Sequence, residues 1–178
     1  MVRLFVALAL PASLRTHLSM LAGGIQGARW VPPANYHLTL RFIGEVEGWR
    51  ADEVDEALST IRTRPFDLSL AGVGTFEKAG KIGALWVGAD RSEALSHLQA
   101  KVETALQRIG LEPERRRFAP HVTLARTDKA PTHKLVEFVQ AHSLFRAPPV
   151  RVEHFTLFSS RLGKENPVYV PEVEYELA

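Results

Sequence analysis

The sequence predicts a fold of strands and helices in two similar lobes, related by an approximate two-fold axis, with a cleft on that axis that receives one motif from each lobe. Two observations support this prediction. The order strand, helix, strand, helix, strand can be traced twice along the 178 residues. A four-residue motif, His-apolar-Thr-apolar, begins at His37 and returns at His121, 84 positions later. Repetition on this scale indicates two related units packed about an approximate two-fold axis.

The first half opens on an apolar run over residues 4–8, which is typical of a buried strand. Pro11 favours the start of a helix, whose apolar residues share one face until Gly23-Gly24 ends it. The remaining predicted elements of this half are a strand over 37–43 stopped by Gly44, a helix over 52–61, an alternating strand over 66–73 and a loop punctuated by Gly72, Gly74 and Gly80.

The second half repeats the order. Its clearest element is an amphipathic stripe from Ser92 to Ile109, which predicts a helix that Gly110 terminates. The others are a strand over 84–87, the second motif strand from His121, a helix over 132–141, and strands over 150–158 and 168–177. We expect one bilobal domain over residues 1–178, with internal repeats over roughly 2–80 and 82–160 and a closing strand over 167–177.

Composition excludes several classes of protein. The chain has no Cys, so it has no disulfide, no thiol chemistry and no cysteine-based zinc site. Its apolar start runs into Pro11 without a cleavage site, which favours a strand over a secretory signal. No stretch approaches the roughly 20 apolar residues of a membrane span. We expect a cytoplasmic monomer with no membrane segment, and the net charge of +2 is only weak support for nucleic-acid binding.

The two motifs carry the chemistry. Side chains alternate along a strand, so the apolar pair of each motif faces a core while His and Thr share the other face. From the seven His residues, fewer than about 0.1 such motifs are expected by chance. Two motif strands brought together would surround one cavity with His37, His121, Thr39 and Thr123. Imidazoles move protons near neutral pH and hydroxyls hold phosphate oxygens, so this set suits a phosphodiester.

Two further features fit more than one interpretation. A third motif, His154 to Leu157, has no counterpart in the repeat, because Leu70 stands 84 positions before it. We expect His154 to be a solvated or half-buried strand residue, the alternative being a third His that borders the cleft. The run Arg115–Arg117 precedes the second motif and suits either the steering of RNA phosphates or a solvated loop.

Four segments carry a resemblance to a known family: Arg3–Ala7, His37–Gly44, Pro120–Arg126 and Phe155–Ser160. With these the whole chain resembles the bacterial and archaeal RNA 2′,3′-cyclic phosphodiesterases, first named 2′-5′ RNA ligases, of the two-histidine phosphoesterase superfamily. The resemblance implies a bilobal, internally duplicated α+β fold, in which two antiparallel sheets face a central cleft and carry helices on their outer sides. It implies hydrolysis of a 2′,3′-cyclic phosphate on an RNA end or a nucleotide, leaving a 2′-phosphate. It implies no metal and no other cofactor, together with a weak, reversible joining of RNA ends through a 2′-5′ linkage.

The expected mechanism uses both histidines. Of His37 and His121, one neutral imidazole would take a proton from water, and the other, protonated, would give one to the departing ribose oxygen. Thr39 and Thr123 would donate hydrogen bonds to the non-bridging phosphate oxygens, where negative charge develops. The sequence does not distinguish the acid from the base, because the motifs are interchangeable.

The resemblance also implies that the residue five positions after each motif His borders the nucleoside. These residues are Phe42 and Arg126, which would hold a base by stacking and cation–π contact. Strict alternation points this position away from the His face. Both side chains therefore reach the cleft only if each strand twists, bulges or ends there. Otherwise Phe42 packs in the core and Arg126 is solvated.

Three alternatives remain at this point. A metal-dependent phosphohydrolase would need a third ligand, and His154 is the one obvious candidate. A non-catalytic RNA-binding module could use the duplicated sheets as a stacking platform, but it leaves the His-Thr pairs unexplained. A relative of the same superfamily could act on another cyclic phosphate.

Overall fold

The computed structural model describes residues 1–178. Its strands are β1 (Val2–Ala9), β2 (Arg29–Trp30), β3 (His37–Val46), β4 (Phe66–Leu68), β5 (Leu70–Lys78), β6 (Lys81–Ala89), β7 (His121–Arg126), β8 (Val150–Val152), β9 (His154–Arg161) and β10 (Val168–Glu176). Its α-helices are α1 (Ala12–Ser19), α2 (Gly48–Ser59), α3 (Glu93–Arg108) and α4 (Thr132–His142), and Pro33–Asn35 form a short 3-10 turn. No helix is both long and apolar enough to cross a membrane.

All strand pairs are antiparallel, which confirms the predicted α+β class. The large sheet has the order β10-β9-β1-β3-β7-β6-β5, with β2 beside β7, and β4 pairs with β8 in a separate small sheet. Between β3 and β7 a single pair forms, Leu38 with Val122. The large sheet therefore consists of a first sheet, β10-β9-β1-β3, and a second sheet, β7-β6-β5, that meet at this pair.

Two strand pairs relate the halves of the chain. Leu38 pairs with Val122, and Asp67 pairs with Arg151, so the partners of each pair are 84 positions apart, as the motifs are. A local two-fold axis passes between the partners of an antiparallel pair, and here both axes relate equivalent residues of the halves. On this ground we propose that the single domain contains the internal repeats expected from the sequence.

The halves exchange strands. β5 comes from the first half of the chain but lies in the second sheet against β6, while β9 comes from the second half and lies in the first sheet between β1 and β10. Each sheet is therefore completed by a strand from the other half. One cluster of 34 buried apolar residues, including the predicted stripe of α3, runs through both halves.

The same exchange explains why two predicted strands are divided. The expected strand over 66–73 breaks at Ser69, and that over 150–158 breaks at Glu153. In each case the first part leaves the large sheet, and these two parts, β4 and β8, pair with each other across the local two-fold axis. Alternation of side chains continues through such a break, so the pattern alone does not reveal it.

Glycines proved to be poor markers of strand ends. β3 continues through Gly44 to Val46, because Gly44, at φ +89°, lies beside a bulge rather than at an end. The predicted loop after Val73 is a continuation of β5, in which Gly74 makes room for the Trp86 ring. A Cβ atom at Gly74 would stand 2.3 Å from that ring.

A buried ion pair fixes the outer side of β3. Arg41 is 7% exposed, and its Nε donates to Glu103 Oε2 at 2.7 Å, which ties the motif strand to α3. Its guanidinium also donates to the carbonyl oxygen of Glu112, in the loop before β7. Burial raises the pKa of the Glu103 carboxyl, but hydrogen bonds from Gln107 and Arg41 outweigh it, so the pKa lies below its ordinary value of 4.5.

Replacing Arg41 by Met should destabilise the fold, because the carboxylate of Glu103 then loses its buried partner. We expect the free energy of unfolding at pH 7 to fall by about 3 kcal/mol. The pKa of Glu103 is lowered in the folded state, so the contribution is complete above pH 4.5 and is lost as the pH falls below that value. Denaturant titrations at pH 7 and at pH 3 should therefore show a smaller difference between the two proteins in acid.

The matched control is Arg50→Met. Arg50 pairs with Glu53 at 2.6 Å, but that carboxylate is 42% exposed, so the loss should stay below about 1 kcal/mol. Equal losses in Arg41→Met and Arg50→Met would contradict the role given to the buried pair.

Candidate active site

A β-bulge in the middle of each motif strand sets which side chains reach the cleft. In β3 the register passes from Arg41 opposite Val6 to Thr39 opposite Ala7, so Leu40 is the extra residue. In β7 it passes from Ala125 opposite Leu85 to Thr123 opposite Trp86, so the extra residue is Leu124. The bulges occupy equivalent positions, 84 residues apart.

Each bulge shifts the alternation by one residue, so position five returns to the face of His and Thr. In the first motif, Leu40 and Arg41 are both buried and Phe42 is 57% exposed. In the second, Leu124 and Ala125 are both buried and Arg126 is exposed. Each motif strand therefore has the bulge that position five requires, and Phe42 and Arg126 share the cleft face with the motif residues. The alternative, in which Phe42 packs in the core, is wrong.

The antiparallel pair of Leu38 with Val122 brings the two motifs together. Both of these side chains are fully buried, so their neighbours on each strand point to the opposite face, into the cleft. The register sets His37 across from Thr123 and Thr39 across from His121. The four predicted residues therefore surround the local two-fold axis, with each His across from the Thr of the other motif.

The backbone orients both imidazoles in the same way. Nδ1 of His37 lies 2.7 Å from the carbonyl oxygen of Asn35, and Nδ1 of His121 lies 2.7 Å from that of Ala119. A carbonyl oxygen only accepts, so Nδ1 carries the proton in each ring and donates it. Nε2 of each neutral ring is therefore the free base, and protonation of Nε2 makes it an acid.

Aromatic rings pack against each imidazole. The His37 ring lies 4.9 Å from Phe5 and 5.2 Å from Tyr169, centroid to centroid. The His121 ring lies 4.7 Å from Phe76, which meets it edge to face. Tyr169 and Phe76 are not among the site residues predicted from the sequence, because each stands on a strand that reaches its histidine only after the exchange between halves.

The ambiguous features also have defined places. His154 begins β9 and is half-buried, as predicted, with Nε2 3.8 Å from a carboxylate oxygen of Glu174. Thr156, in the same motif, pairs with Ala7, which also pairs with Thr39, so Thr156 faces the cleft side of the first sheet. The run Arg115–Arg117 is exposed in the loop before β7. No group of three or more His, Cys, Asp or Glu residues is arranged to hold a metal ion.

Comparisons with known proteins identify the family of this chain. The family model of the 2′-5′ RNA ligase superfamily matches residues 12–164. A protein of Methanothermobacter thermautotrophicus named RNA 2′,3′-cyclic phosphodiesterase is 31% identical over 176 residues, 94% of this chain and 95% of that protein. One of Aeropyrum pernix with the same name is 35% identical over 83% of this chain and 85% of that protein.

The chain belongs to the 2′-5′ RNA ligase superfamily. Among solved structures, Escherichia coli LigT complexed with 3′-AMP is similar at a TM-score of 0.81 and 27% identity, over 99% of this chain and 98% of that chain. TT0787 of Thermus thermophilus has the same TM-score at 26% identity, over 98% of this chain and 97% of that chain. The predicted family resemblance is thus confirmed along nearly the whole chain.

In this superfamily member both motif histidines favour the neutral form. Burial lowers the pKa of His37 below its ordinary value of 6.5; the Asn35 carbonyl opposes this, and the charges of His121 and Arg126 add to it. Burial likewise lowers the pKa of His121, against the Ala119 carbonyl and with the help of Arg126. Arg126 is therefore close enough to both rings to influence their protonation.

Replacing Arg126 by Met should raise the pKa of both histidines, because a neutral side chain no longer opposes the imidazolium charge. Proton NMR titration of the imidazole signals between pH 4 and pH 9 would measure both midpoints. In the unsubstituted chain both should lie below 6.5, and both should move upward in the variant.

Arg117→Met is the control, because it removes the same charge from the exposed loop before β7. It should leave both midpoints unchanged. A shift of equal size in the two variants, or no shift in Arg126→Met, would show that Arg126 does not reach the histidines.

Proposed function

We propose that the chain hydrolyses 2′,3′-cyclic phosphates at RNA ends, or on nucleotides, to 2′-phosphates, with His37 and His121 as general acid and base and without a metal. One observation carries the proposal: two equivalent imidazoles meet across an axis, each with Nδ1 donating to a carbonyl and Nε2 left free. The curated relatives named RNA 2′,3′-cyclic phosphodiesterase support the substrate class.

The reaction needs one base and one acid. The neutral histidine takes a proton from water at Nε2, and the water oxygen forms a bond to phosphorus. The bond from phosphorus to O3′ breaks, and the protonated histidine gives its Nε2 proton to that oxygen. The products are a 2′-phosphate and a free 3′-hydroxyl, and the two histidines have exchanged protonation states. Acid–base assistance of this kind contributes roughly 10²–10⁴-fold per well-placed group.

The other cleft residues bind the substrate. Thr39 and Thr123 donate hydrogen bonds to the non-bridging oxygens, on which negative charge grows during the reaction. Phe42 and Arg126, on the cleft face beyond each motif, hold the nucleoside by stacking and cation–π contact. The similarity to a LigT structure complexed with 3′-AMP supports a nucleotide in this cleft.

The same arrangement accounts for joining of RNA ends. If the 5′-hydroxyl of a second RNA end replaces water, the same two proton transfers form a 2′-5′ phosphodiester, and the reverse steps cleave it. Because both histidines are oriented identically, neither direction requires a rearrangement of the site. The name of the superfamily, 2′-5′ RNA ligase, supports this second reaction.

Removing either imidazole should abolish most turnover. We expect His37→Ala and His121→Ala each to lower kcat for a short RNA ending in a 2′,3′-cyclic phosphate by at least about 100-fold, since each loses one proton transfer. Circular dichroism and thermal unfolding would confirm that the variants stay folded. His154→Ala is the control and should change kcat by less than about 3-fold, because this ring pairs only with Glu174 at the end of β9. Near-normal turnover in either motif variant would exclude the two-histidine mechanism.

The position of the product phosphate should be O2′. Phosphorus NMR of the product, or its resistance to an enzyme that removes only 3′-phosphates, would measure this. The rate should be the same with and without EDTA, because the cleft offers no set of three metal ligands. A 3′-phosphate would contradict the predicted bond cleavage. Loss of activity with EDTA would favour the metal-dependent alternative, and binding without turnover would favour an RNA-binding module.

A further inference from the structure

Tyr169, near the start of β10, lies in the cleft beside His37. Its ring meets the His37 imidazole almost at a right angle, with 5.2 Å between the centroids, and it meets the Phe5 ring edge to face at 5.0 Å. His37 points into the cleft, and Phe5 pairs with Phe42, whose side chain is on the cleft face. Because both of its neighbours face the cleft, Tyr169 is a cleft residue as well.

The second sheet has no counterpart of Tyr169. The first sheet continues beyond the exchanged strand β9 to β10, whereas the second sheet ends at its own exchanged strand, β5. His121 therefore has the Phe76 ring of β5 beside it but no group from a further strand. Tyr169 supplies the site with a phenol hydroxyl on the His37 side alone.

The hydroxyl of Tyr169 is free to bind a ligand. Of the three tyrosines in the chain, Tyr175 donates to Asp55 Oδ1 at 2.8 Å, and the hydroxyl of Tyr36 is buried in the core. The Tyr169 hydroxyl has no partner within the protein, but its oxygen is not one of the buried unpaired atoms, so it is accessible. An accessible hydroxyl that lines a cleft can exchange water for a polar atom of the substrate.

The phenol of Tyr169 is also close to the nucleoside site. Burial raises the pKa of Tyr169 above its ordinary value of 10.0, and the positive charge of Arg126 acts to lower it. The same guanidinium acts on the imidazoles of His37 and His121. Such an influence requires a short distance, so the phenol and both imidazoles lie around Arg126, which stands in the second sheet. The phenol therefore extends into the space between His37 and the nucleoside site.

A hydrogen bond holds Tyr169 in this place. Nδ2 of Asn35 donates to the carbonyl oxygen of Pro167 at 3.0 Å, two residues before Tyr169. Asn35 is also the residue whose carbonyl oxygen accepts the Nδ1 proton of His37. One residue thus orients the imidazole and holds the strand that brings Tyr169 to it. Because Tyr169 is fixed before a substrate arrives, little free energy is lost in ordering it on binding.

We propose that Tyr169 is a further substrate-binding residue, whose hydroxyl forms a hydrogen bond with the nucleotide on the His37 side of the cleft and whose ring positions the His37 imidazole. The proposal rests on the proposed function, because it takes the nucleotide to lie between the motif residues and the pair Phe42 and Arg126. The hydroxyl and the ring have different effects, and two substitutions separate them.

Tyr169→Phe removes the hydroxyl and keeps the ring. We expect KM for adenosine 2′,3′-cyclic phosphate to rise by at least about 3-fold and kcat to stay within about 2-fold, because a hydrogen bond to the substrate is lost while His37 stays in place. Because the hydroxyl has no partner in the free protein, the free energy of unfolding should not fall. An unchanged KM would overturn the hydrogen bond to the nucleotide.

Tyr169→Leu removes the ring as well. We expect the same rise in KM and, in addition, a kcat lower by at least about 5-fold, because the imidazole is less well oriented. Proton NMR titration of the imidazoles gives a readout that does not depend on turnover. Burial is the main cause of the lowered pKa of His37, so this pKa should rise towards 6.5, while that of His121 should move less. Circular dichroism would confirm the fold, and equal kcat and equal His37 midpoints in the Phe and Leu variants would overturn the positioning role.

Tyr175→Phe is the matched control, with the same substitution on the same strand. The Tyr175 hydroxyl pairs with Asp55, and its side chain is buried in the core rather than in the cleft. This variant should lose stability and keep KM, kcat and both histidine midpoints. A rise in KM as large as that in Tyr169→Phe would show that the effect does not come from the cleft, and it would overturn the proposal.

The experiment also separates this proposal from the proposed function. If the unsubstituted chain does not turn over adenosine 2′,3′-cyclic phosphate, the proposed function fails, and calorimetric titration with adenosine 2′-phosphate then tests Tyr169 alone. Binding that is at least about 3-fold weaker in Tyr169→Phe supports the contact. Equal Kd values in the two proteins, or no binding to either, overturn it.

Discussion

The site depends on one pair in the sheet, Leu38 with Val122. It is the only point where the two motif strands are bonded, and it determines that His37 lies across from Thr123 and Thr39 across from His121. A slip of one residue would turn every motif side chain to the other face. Both partners are fully buried in the core, and the buried Arg41–Glu103 pair fixes the same strand from its outer side. Core packing thus specifies the register that the chemistry needs.

Local pattern was enough to predict the fold class, the motif strands and the four central residues, because each depends on alternation or on repetition. It was not enough for the bulges. The polarity of Arg41 and Phe42 suggests that the arginine faces the cleft and the phenylalanine the core, whereas the structure has the reverse. The guanidinium is buried because Glu103, 62 positions away, pairs with it. A partner so distant in sequence leaves no trace in the local pattern.

Distance in sequence also explains the other differences. Tyr169 reaches His37 on a strand that was predicted, whereas Phe76 reaches His121 on the part of β5 that was predicted as a loop. In both cases tertiary packing decides which sheet the strand joins. The repeat suggested two self-contained halves. Because β5 and β9 are exchanged, each of the two sheets that face the cleft instead contains strands from both halves. The third motif shows the same limit: its lack of a counterpart agrees with the half-buried place of His154 on β9, but it concealed the place of Thr156 on the cleft side of the first sheet.

The exchange of β5 and β9 has a consequence for how the chain is made. During synthesis β1 leaves the ribosome some 150 residues before its neighbour β9. Until then one edge of the nascent first sheet is open, and open edges pair readily with other chains. Contacts of such long range also slow folding. The newly made chain therefore gains its cleft late and as a unit, and neither half severed from the other retains a complete sheet.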